Sequence, residues 1–334
     1  MTNKVIILFG RPVGVPVSGD FKLNLEEAPI AGDHEILLKT RYVSVDPYLR
    51  GRMNDKASYV PPFELNKPIS STIIAEVINS NNTAFKIGEL VSGNLDWKEY
   101  QVATGKGLQI ITTPEIYLTA NLGVLGMTGL TAYLGLTEIA VPKGGETLVV
   151  SGAGGAVGSI VGQIGKIMGC RVVGITGSDE KVTMLKTKFH FDEAINYKNT
   201  VDLNRAIKTA CPNGVDIYFD NVGGKISDNV LNNINKHARI PLCGAISMYN
   251  ETAPVLGPYI QPVLVSKSAL MQGFIVSDFI DKFPVAKEQL FNWLSQGKLT
   301  HHETIIVGFE QLPAAFLGLF EGKNEGKMIV KVSN

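Results

Sequence analysis

Two patterns of apolar and polar positions divide the chain. Up to about Thr104, short β-branched apolar runs are separated by Pro, Gly and Asn, which is typical of strands joined by turns. From about Gly123, runs of strand length alternate with stretches at helical spacing, and this alternation predicts a parallel sheet with crossover helices. The end of the chain returns to the first pattern, so we expect it to complete the first domain.

The predicted elements follow from these periods. The first part predicts strands over residues 5–9, 35–45, 71–78 and 90–102. The second part predicts strands over 147–150, 170–176, 194–196, 215–220, 238–243 and 269–276, and helices over 123–141, 160–168, 178–189, 200–211, 226–234 and 281–296. The tail predicts a strand over 303–309, a helix over 311–320 and a strand over 327–332.

The stretch 147–158, TLVVSGAGGAVG, joins a predicted strand to a predicted helix through Gly152, Gly155 and Gly158. Glycine lets the chain turn sharply and leaves room for a pyrophosphate near the N–H groups at the helix start. The same spacing also arises where a helix merely packs closely on a strand. The strand 170–176 after the helix completes a βαβ unit, and this context favours a dinucleotide site.

The end of that second strand indicates which dinucleotide binds. Thr176 and Ser178 stand where an NAD site usually offers Asp or Glu to the ribose hydroxyls, and Lys181 follows. A small polar residue and a cation suit a 2′-phosphate, so the sequence favours NADPH over NADH. Two observations leave the alternative open: Lys181 can also be a solvated lysine of a first helical turn, and Asp179 and Glu180 are close in sequence.

Polar residues also follow two later strands of the predicted sheet. Asn221 comes directly after 215–220, and Ser247 and Tyr249 come soon after 238–243. Ligands of parallel sheets bind at the carboxyl ends of the strands, so we expect these three residues at the cofactor site.

Length, composition and charge restrict the class of protein. The 334 residues suffice for two domains, and a hydrophobic content of 45% can fill a core in each. Thirty-one Lys and Arg balance thirty-one Asp and Glu, so no net field favours nucleic acid or an anionic membrane. The N-terminal apolar run is too short for a signal peptide, and 123–141 contains glycines, threonines and Glu138, so we expect a cytoplasmic protein without a membrane span.

Cysteine and histidine positions indicate no metal site. Cys170, Cys211 and Cys243 lie far apart with no CxxC spacing, and we interpret them as buried small hydrophobes. The five histidines form no cluster with cysteine or acid at ligand spacing. We therefore expect metal-free chemistry.

The segment 45–53, VDPYLRGRM, places a tyrosine and two arginines directly after a strand that Pro47 ends. By composition alone, we interpret it as an ordinary strand exit with exposed cations.

Several motifs in one order resemble a known family. They are VDPYLRGRM, GMTGLTAY, PKGGETLVVSGAGGAVG, GSDEK, VDIYFDNVGG, CGAISMYN, QGFIVSDF and GKNEGKMIV. Over essentially its whole length, the chain is similar to the zinc-independent medium-chain dehydrogenases/reductases. Within them, it most resembles the branch of the prostaglandin/leukotriene reductases, plant double-bond reductases and bacterial curcumin reductases.

The resemblance implies a fold, a reaction and an assembly. The fold is α/β, with a GroES-like β-rich catalytic domain over residues 1–123 and 300–334 and a Rossmann doubly wound parallel-sheet domain over 124–299 that binds NADP. The reaction is the NADPH-dependent reduction of the C=C bond of small α,β-unsaturated ketones or aldehydes. The assembly is a homodimer.

The resemblance also implies site residues, position by position. The residues that it implies for cofactor binding are Gly152, Gly155, Ala156, Val157, Gly158, Thr176, Ser178, Lys181, Tyr197, Asn221, Cys243, Ser247, Phe274, Ile275, Val276 and Asn324. Those of the substrate pocket are Tyr48, Met127 and Tyr259. The family motif SQYN reads SMYN here, and the proline-rich segment after it differs from relatives, which leaves the substrate preference open.

Tyr249 is the predicted catalytic residue. Reduction of a conjugated C=C needs hydride transfer to the β-carbon and a hydrogen-bond donor to the developing enolate oxygen. In the absence of a metal, a hydroxyl group can be that donor. Tyr48 and Tyr259 are rival donors, and Tyr249 can instead simply pack at a strand exit. Two other functions stay open: an NADPH:quinone oxidoreductase, and a non-catalytic NADPH-binding sensor.

Overall fold

The computed structural model describes residues 2–332, and they form two compact units. The first unit comprises the chain up to Leu122, residues 303–324 and the chain from Met328 onward. The second unit comprises Gly123–His302 together with the short segment Glu325–Lys327. Both ends of the chain therefore belong to the first unit.

Strands and helices have the following bounds. The strands are β1 Thr2–Leu8, β2 Phe21–Glu27, β3 Ile36–Ser44, β4 Ser70–Ser80, β5 Leu90–Asp96, β6 Tyr100–Ala103, β7 Gln109–Ile110, β8 Thr147–Ser151, β9 Arg171–Thr176, β10 Glu193–Asn196, β11 Val215–Phe219, β12 Ile234–Leu242, β13 Leu270–Gly273, β14 Glu303–Val307 and β15 Lys327–Lys331. The α-helices are α1 Leu49–Arg52, α2 Met127–Leu134, α3 Ala156–Ile167, α4 Asp179–Thr187, α5 Leu203–Ala210, α6 Gly224–Leu231, α7 Gln261–Lys267, α8 Phe283–Ser295 and α9 Leu312–Glu321.

The second unit is built on a parallel sheet of six strands in the order β10-β9-β8-β11-β12-β13. Counted along the chain from β8, this order is 3-2-1-4-5-6, and the winding reverses between β8 and β11. Every residue of β8 is buried, as expected for a strand with helices on both faces. The predicted α/β fold class with a Rossmann sheet is confirmed.

The first unit contains a sheet in the order β14-β15-β3-β4-β5-β7, with β6 paired to β3 and a separate β1–β2 ribbon. The strands of the tail, β14 and β15, thus lie in the same sheet as strands from the start of the chain. Trp97, Phe309 and Phe316 are fully buried among the aliphatic side chains of these strands. This is the predicted β-rich partner of the Rossmann sheet.

The apolar stretch 123–141 forms α2 and then a π-helical turn, Gly135–Ala140, inside the second unit. Gly135 allows close packing, because a Cβ there would lie 2.7 Å from the rings of Phe219 and Phe274. No single helix within residues 2–332 is long and apolar enough to span a membrane, and the helical stretches 115–122 and 127–140 reach that length only when taken together.

The last strand of the parallel sheet is shorter than its apolar run predicts. The prediction was 269–276, but β13 ends at Gly273, and a 3₁₀ turn covers Val276–Lys282. The reason is that β13 pairs with β12 over only four residues, up to Leu242 and Gly273, where β12 also ends. A strand with a single neighbour cannot continue its hydrogen bonds past that neighbour's end.

Candidate cofactor and active site

The glycine-rich turn joins β8 to α3. Gly152 has a positive φ of 59°, and Gly155 is the residue before the first turn of α3. A Cβ at Gly158 would lie 2.4 Å from the carbonyl oxygen of Gly152, so only glycine fits the close approach of helix and turn. Ala156 and Val157 open a helix of twelve residues, whose first N–H groups have no partner within the helix. The turn therefore provides small residues, and the start of α3 provides backbone N–H donors, which together suit a pyrophosphate.

The tip of β9 lies next to this turn. Thr176 is buried, and a Cβ on Gly154 would lie 3.1 Å from its hydroxyl oxygen and 2.9 Å from Cδ of Lys181. Ser178 caps α4 by accepting a 3.3 Å hydrogen bond from the N–H of Lys181. Thr176 and Lys181, both predicted for the adenosine end of the cofactor, thus lie together beside Gly154, and Ser178 begins the helix that carries Lys181.

The strand next to β9 adds two more polar side chains. The N–H of Tyr197 donates to the carbonyl of Thr176 at 3.0 Å, and the Tyr197 ring and Lys198 both approach Gly177. Sequence reasoning missed Lys198. The signal that could have found it is the strand order, because the residues after β10 must end beside those after β9.

Both lysines and carboxylates lie at this strand tip. Burial lowers the pKa of Lys181, the carboxylate of Glu325 opposes that change, and Lys198 adds to it. The nearby acid Asp179 accepts hydrogen bonds from the side-chain amides of Asn196 and Asn199 at 2.7 and 3.0 Å. The Asp179 carboxylate is therefore hydrogen-bonded to two side-chain amides. The ammonium groups of Lys181 and Lys198 suit a phosphate.

Asp220 holds the carboxyl edge of the sheet together. Its Oδ1 atom accepts hydrogen bonds from the Ser151 hydroxyl and the Tyr218 hydroxyl, both at 2.8 Å. The Ser151 oxygen in turn accepts from the N–H of Asn221 at 2.9 Å, and the Asn221 amide donates to the Ser151 carbonyl at 2.8 Å. Sequence reasoning named Asn221 but missed Asp220, whose partner Ser151 lies on another strand.

The segment after β12 interlocks with the segment after β11. Ser247 donates its hydroxyl hydrogen to the carbonyl of Val222 at 2.6 Å and its N–H to the same carbonyl at 3.1 Å. Tyr249 follows the 3₁₀ turn Ile246–Met248, and its phenol oxygen lies 3.5 Å from the N–H of Ala245. Asn221, Ser247 and Tyr249 therefore share one edge of the sheet, as the strand order predicts.

Phe274, Ile275 and Val276 follow β13 at the same end of the sheet. Phe274 is buried, with its ring edge-on to Phe219 at 6.2 Å between centroids. Ile275 and Val276 are half-buried.

Four further predicted residues each belong to one of the two units. In the second unit, Met127 opens α2 with 49% of its surface exposed, and Tyr259 is 88% exposed before α7. In the first unit, Tyr48 is half-buried beside α1, and burial raises the pKa of its phenol. Asn324 directly precedes Glu325. Their roles stay predictions.

Segment 45–53 is a strand exit, as predicted, since β3 ends at Ser44, but the prediction that its cations are exposed is wrong. Arg50 is 3% exposed, and its guanidinium donates to Oδ1 of Asn54 at 2.6 Å and to the carbonyl of Gly14 at 3.0 Å. Arg52 stacks on the ring of Phe63 at 3.9 Å. Burial lowers the pKa of both guanidinium groups. The segment is an internally bonded turn because a guanidinium can satisfy several backbone carbonyls at once.

The cysteines are thiols with little access to solvent. Cys170 and Cys211 are buried, as predicted, whereas Cys243 is half-buried. Burial raises the pKa of Cys170 to about 11 and those of Cys211 and Cys243 to about 12. None of these groups has the character of an activated thiolate.

Comparison with known proteins adds to this geometry. Residues 4–111 match a family model described as the N-terminal domain of oxidoreductase, and residues 156–292 match one described as zinc-binding dehydrogenase. A protein of Bacillus subtilis (strain 168), provisionally named the NADP-dependent oxidoreductase YfmJ, is 55% identical over 100% of this chain and 98% of its own. The 2-alkenal reductase (NADP(+)-dependent) of Nicotiana tabacum is 41% identical over 100% of this chain and 98% of its own.

A solved structure is also similar over the whole chain. CurA from Vibrio vulnificus in complex with NADPH is 42% identical, with a TM-score of 0.95 over 99% of both chains. Fold and site together define an oxidoreductase with a dinucleotide-binding unit. The chain belongs to the medium-chain dehydrogenase/reductase family, in the branch that contains the curcumin, 2-alkenal and prostaglandin reductases.

The name of the second family model raises the question of zinc. Across residues 2–332, no group of three or more His, Cys, Asp or Glu lies where it could hold a metal ion. The described residues thus do not fit a zinc site.

Proposed function

We propose that this protein reduces the C=C bond of α,β-unsaturated ketones or aldehydes with NADPH. The observation that carries the proposal is the pairing of the glycine-rich turn with a strand tip that offers Thr176, Lys181 and Lys198. The name of the tobacco relative supplies the substrate class, an alkenal, and the CurA complex supplies the cofactor.

The described residues fit NADPH. Gly154 and Gly155 leave the turn without side chains, and the start of α3 directs N–H groups to the same place. Lys181, with Lys198 nearby, offers positive charge for a 2′-phosphate. When bound, the cofactor supplies a hydride.

Tyr249 is our candidate for the donor to the substrate carbonyl. The phenol lies at the carboxyl edge of the parallel sheet, where a Cβ on Gly244 would be 3.1 Å from its oxygen. A phenol held there can donate its hydrogen to an oxygen that gains negative charge as hydride reaches the β-carbon.

The test compares acceptors under identical conditions. Purified protein and NADPH are mixed with a small enone, an enal or a quinone, and NADPH oxidation is followed by absorbance. We expect the highest kcat/KM with the enone or enal and a product saturated at the former C=C bond. A preference for the quinone would instead indicate an NADPH:quinone oxidoreductase. Binding of NADPH without oxidation by any acceptor would indicate a sensor.

We also propose a cytoplasmic homodimer. Within the described residues, β13 pairs only with β12, and Leu270 on this strand is 48% exposed. An unpaired parallel edge with an exposed apolar side chain can pair with a second copy. A monomeric mass by light scattering would contradict the dimer.

A further inference from the structure

Beyond the residues assigned to the cofactor, a series of charged side chains runs along α4. Nζ of Lys188, which caps α4, lies 2.7 Å from Nδ1 of His302, and Nε2 of that ring lies 3.3 Å from Oε2 of Glu325. A charged lysine has only donors, so it donates to Nδ1, and the ring N–H on Nε2 then faces Glu325. His302 therefore orients the Glu325 carboxylate through Nε2.

Glu325 also lies beside Lys181. The carbonyl of Gly154 accepts the N–H of Gly326 at 2.9 Å, and a Cβ on the same Gly154 would lie 2.9 Å from Cδ of Lys181. Since Glu325 directly precedes Gly326, this contact places its carboxylate near the Lys181 side chain. Burial lowers the pKa of the Lys181 ammonium, and the negative charge of Glu325 opposes that change.

The two lysines flank the carboxylate. Lys181 and Lys188 are seven positions apart, which is about two helical turns, so they project from similar faces of α4. The Glu325 side chain is 43% exposed. It faces Lys181 on the side of the proposed cofactor site and His302, which contacts Lys188, on the other side.

We propose that Glu325 is a specificity-determining residue whose carboxylate competes with the 2′-phosphate of NADPH for Lys181, and that His302 is a positioning residue that draws this carboxylate aside. The inference rests on the NADPH-dependent function proposed above. A phosphate monoester carries about −1.5 to −2 charges at pH 7, so a second anion beside the same ammonium opposes its binding. NADH lacks that phosphate, so Glu325 affects it little.

The first test replaces Glu325 by Gln in the full chain. We expect the Kd for NADPH, measured by titration of cofactor fluorescence at low salt, to fall about tenfold, and the Kd for NADH to stay within about twofold. Glu193→Gln is the matched control, because it makes the same charge change in β10, where Glu193 pairs with Lys186 at 3.1 Å. An equal change for both cofactors, or an equal effect of the control, would overturn the proposal.

The second test acts on His302. Phe at this position removes both ring nitrogens but keeps a ring against Phe189, whose centroid is 6.1 Å away. We expect His302→Phe to weaken NADPH binding about threefold and to have no effect on the NADPH/NADH ratio once Glu325 is Gln. A similar loss in both backgrounds would refute the role of His302, and thermal unfolding of each variant checks its fold. A wild-type protein that binds neither cofactor would instead refute the proposed function.

Discussion

The hydroxyl of Tyr218 donates a 2.8 Å hydrogen bond to Oδ1 of Asp220, and both side chains are buried. The same oxygen accepts from the Ser151 hydroxyl at 2.8 Å and from the N–H groups of Val222 and Gly223 at 3.0 and 2.9 Å. Four donors replace the water that this carboxylate loses on burial. Asp220 thereby connects β8, β11 and the loop before α6.

Asp220→Asn should destabilise the protein strongly. The amide has no negative charge and brings two donors into a place where donors already converge, so we expect a loss of about 3 kcal/mol in the free energy of unfolding. Tyr218→Phe removes only one donor and should cost about 1 kcal/mol. Urea unfolding measures both variants. Equal losses would show that Asp220 is not the shared acceptor.

Local patterns predicted the strand, turn and helix around the glycines correctly. The residues that decide these elements, from Thr147 to Gly158, are contiguous, so their spacing alone indicates strand, turn and helix. Asp220 and Arg50 were missed or misread because each also has a partner far along the chain. Ser151 is 69 positions from Asp220, and Gly14 is 36 from Arg50. Such bonds depend on strand order and packing, which the local spacing of apolar residues does not predict.

Gly158→Ala should damage the cofactor turn. Its Cβ would lie 2.4 Å from the Gly152 carbonyl oxygen and 2.7 Å from Cα of Ala153, both backbone atoms that cannot give way cheaply. We expect a loss of about 1–3 kcal/mol in stability and weaker NADPH binding. Gly144→Ala is the control, since its Cβ would meet only the Met168 carbonyl at 3.9 Å. Thermal unfolding and cofactor titration measure both variants, and equal results for the two would contradict the close contact at Gly158.

The cysteines should make stability fall at alkaline pH. Burial raises the pKa of Cys211 to about 12, whereas an unfolded thiol titrates near about 8.5. Below pH 8.5 both states keep the proton, so the stabilisation is complete. Above it only the unfolded state loses the proton, so unfolding becomes easier by up to about 1.4 kcal/mol per pH unit and thiol.

Cys211→Ala isolates this contribution. Between about pH 9.5 and 11, its stability should fall less steeply than that of the wild type, by about 1.4 kcal/mol per pH unit. Urea unfolding at several pH values gives both slopes. Parallel pH profiles would show that the folded state does not hold the Cys211 proton.

Arg50→Lys should destabilise the first unit. The guanidinium donates to Asn54 and to the carbonyls of Pro12 and Gly14 from a buried position, and an ammonium cannot reach all three in that geometry. We expect a loss of about 1–3 kcal/mol. Arg205→Lys on exposed α5 should change stability by less than about 0.5 kcal/mol. If the two variants unfold alike, the bonds of Arg50 contribute nothing measurable.

Tyr249→Phe tests the proposed donor. Removal of one preorganised donor to a developing oxyanion typically costs about 10²–10³ in kcat, whereas NADPH binding depends on other groups of the site. We therefore expect kcat with an enone to fall at least about a hundredfold while the Kd for NADPH changes little.

The rival phenols provide the comparison for this last prediction. Tyr48→Phe and Tyr259→Phe each remove one hydroxyl from residues predicted for the substrate pocket, and Tyr259 is 88% exposed. We expect both to change KM more than kcat, because neither phenol is expected to donate to the carbonyl. An unchanged kcat for Tyr249→Phe together with a collapse for Tyr48→Phe would transfer the donor role to Tyr48. That result would leave the proposed NADPH site unchanged, because neither phenol is among the residues proposed to bind the cofactor.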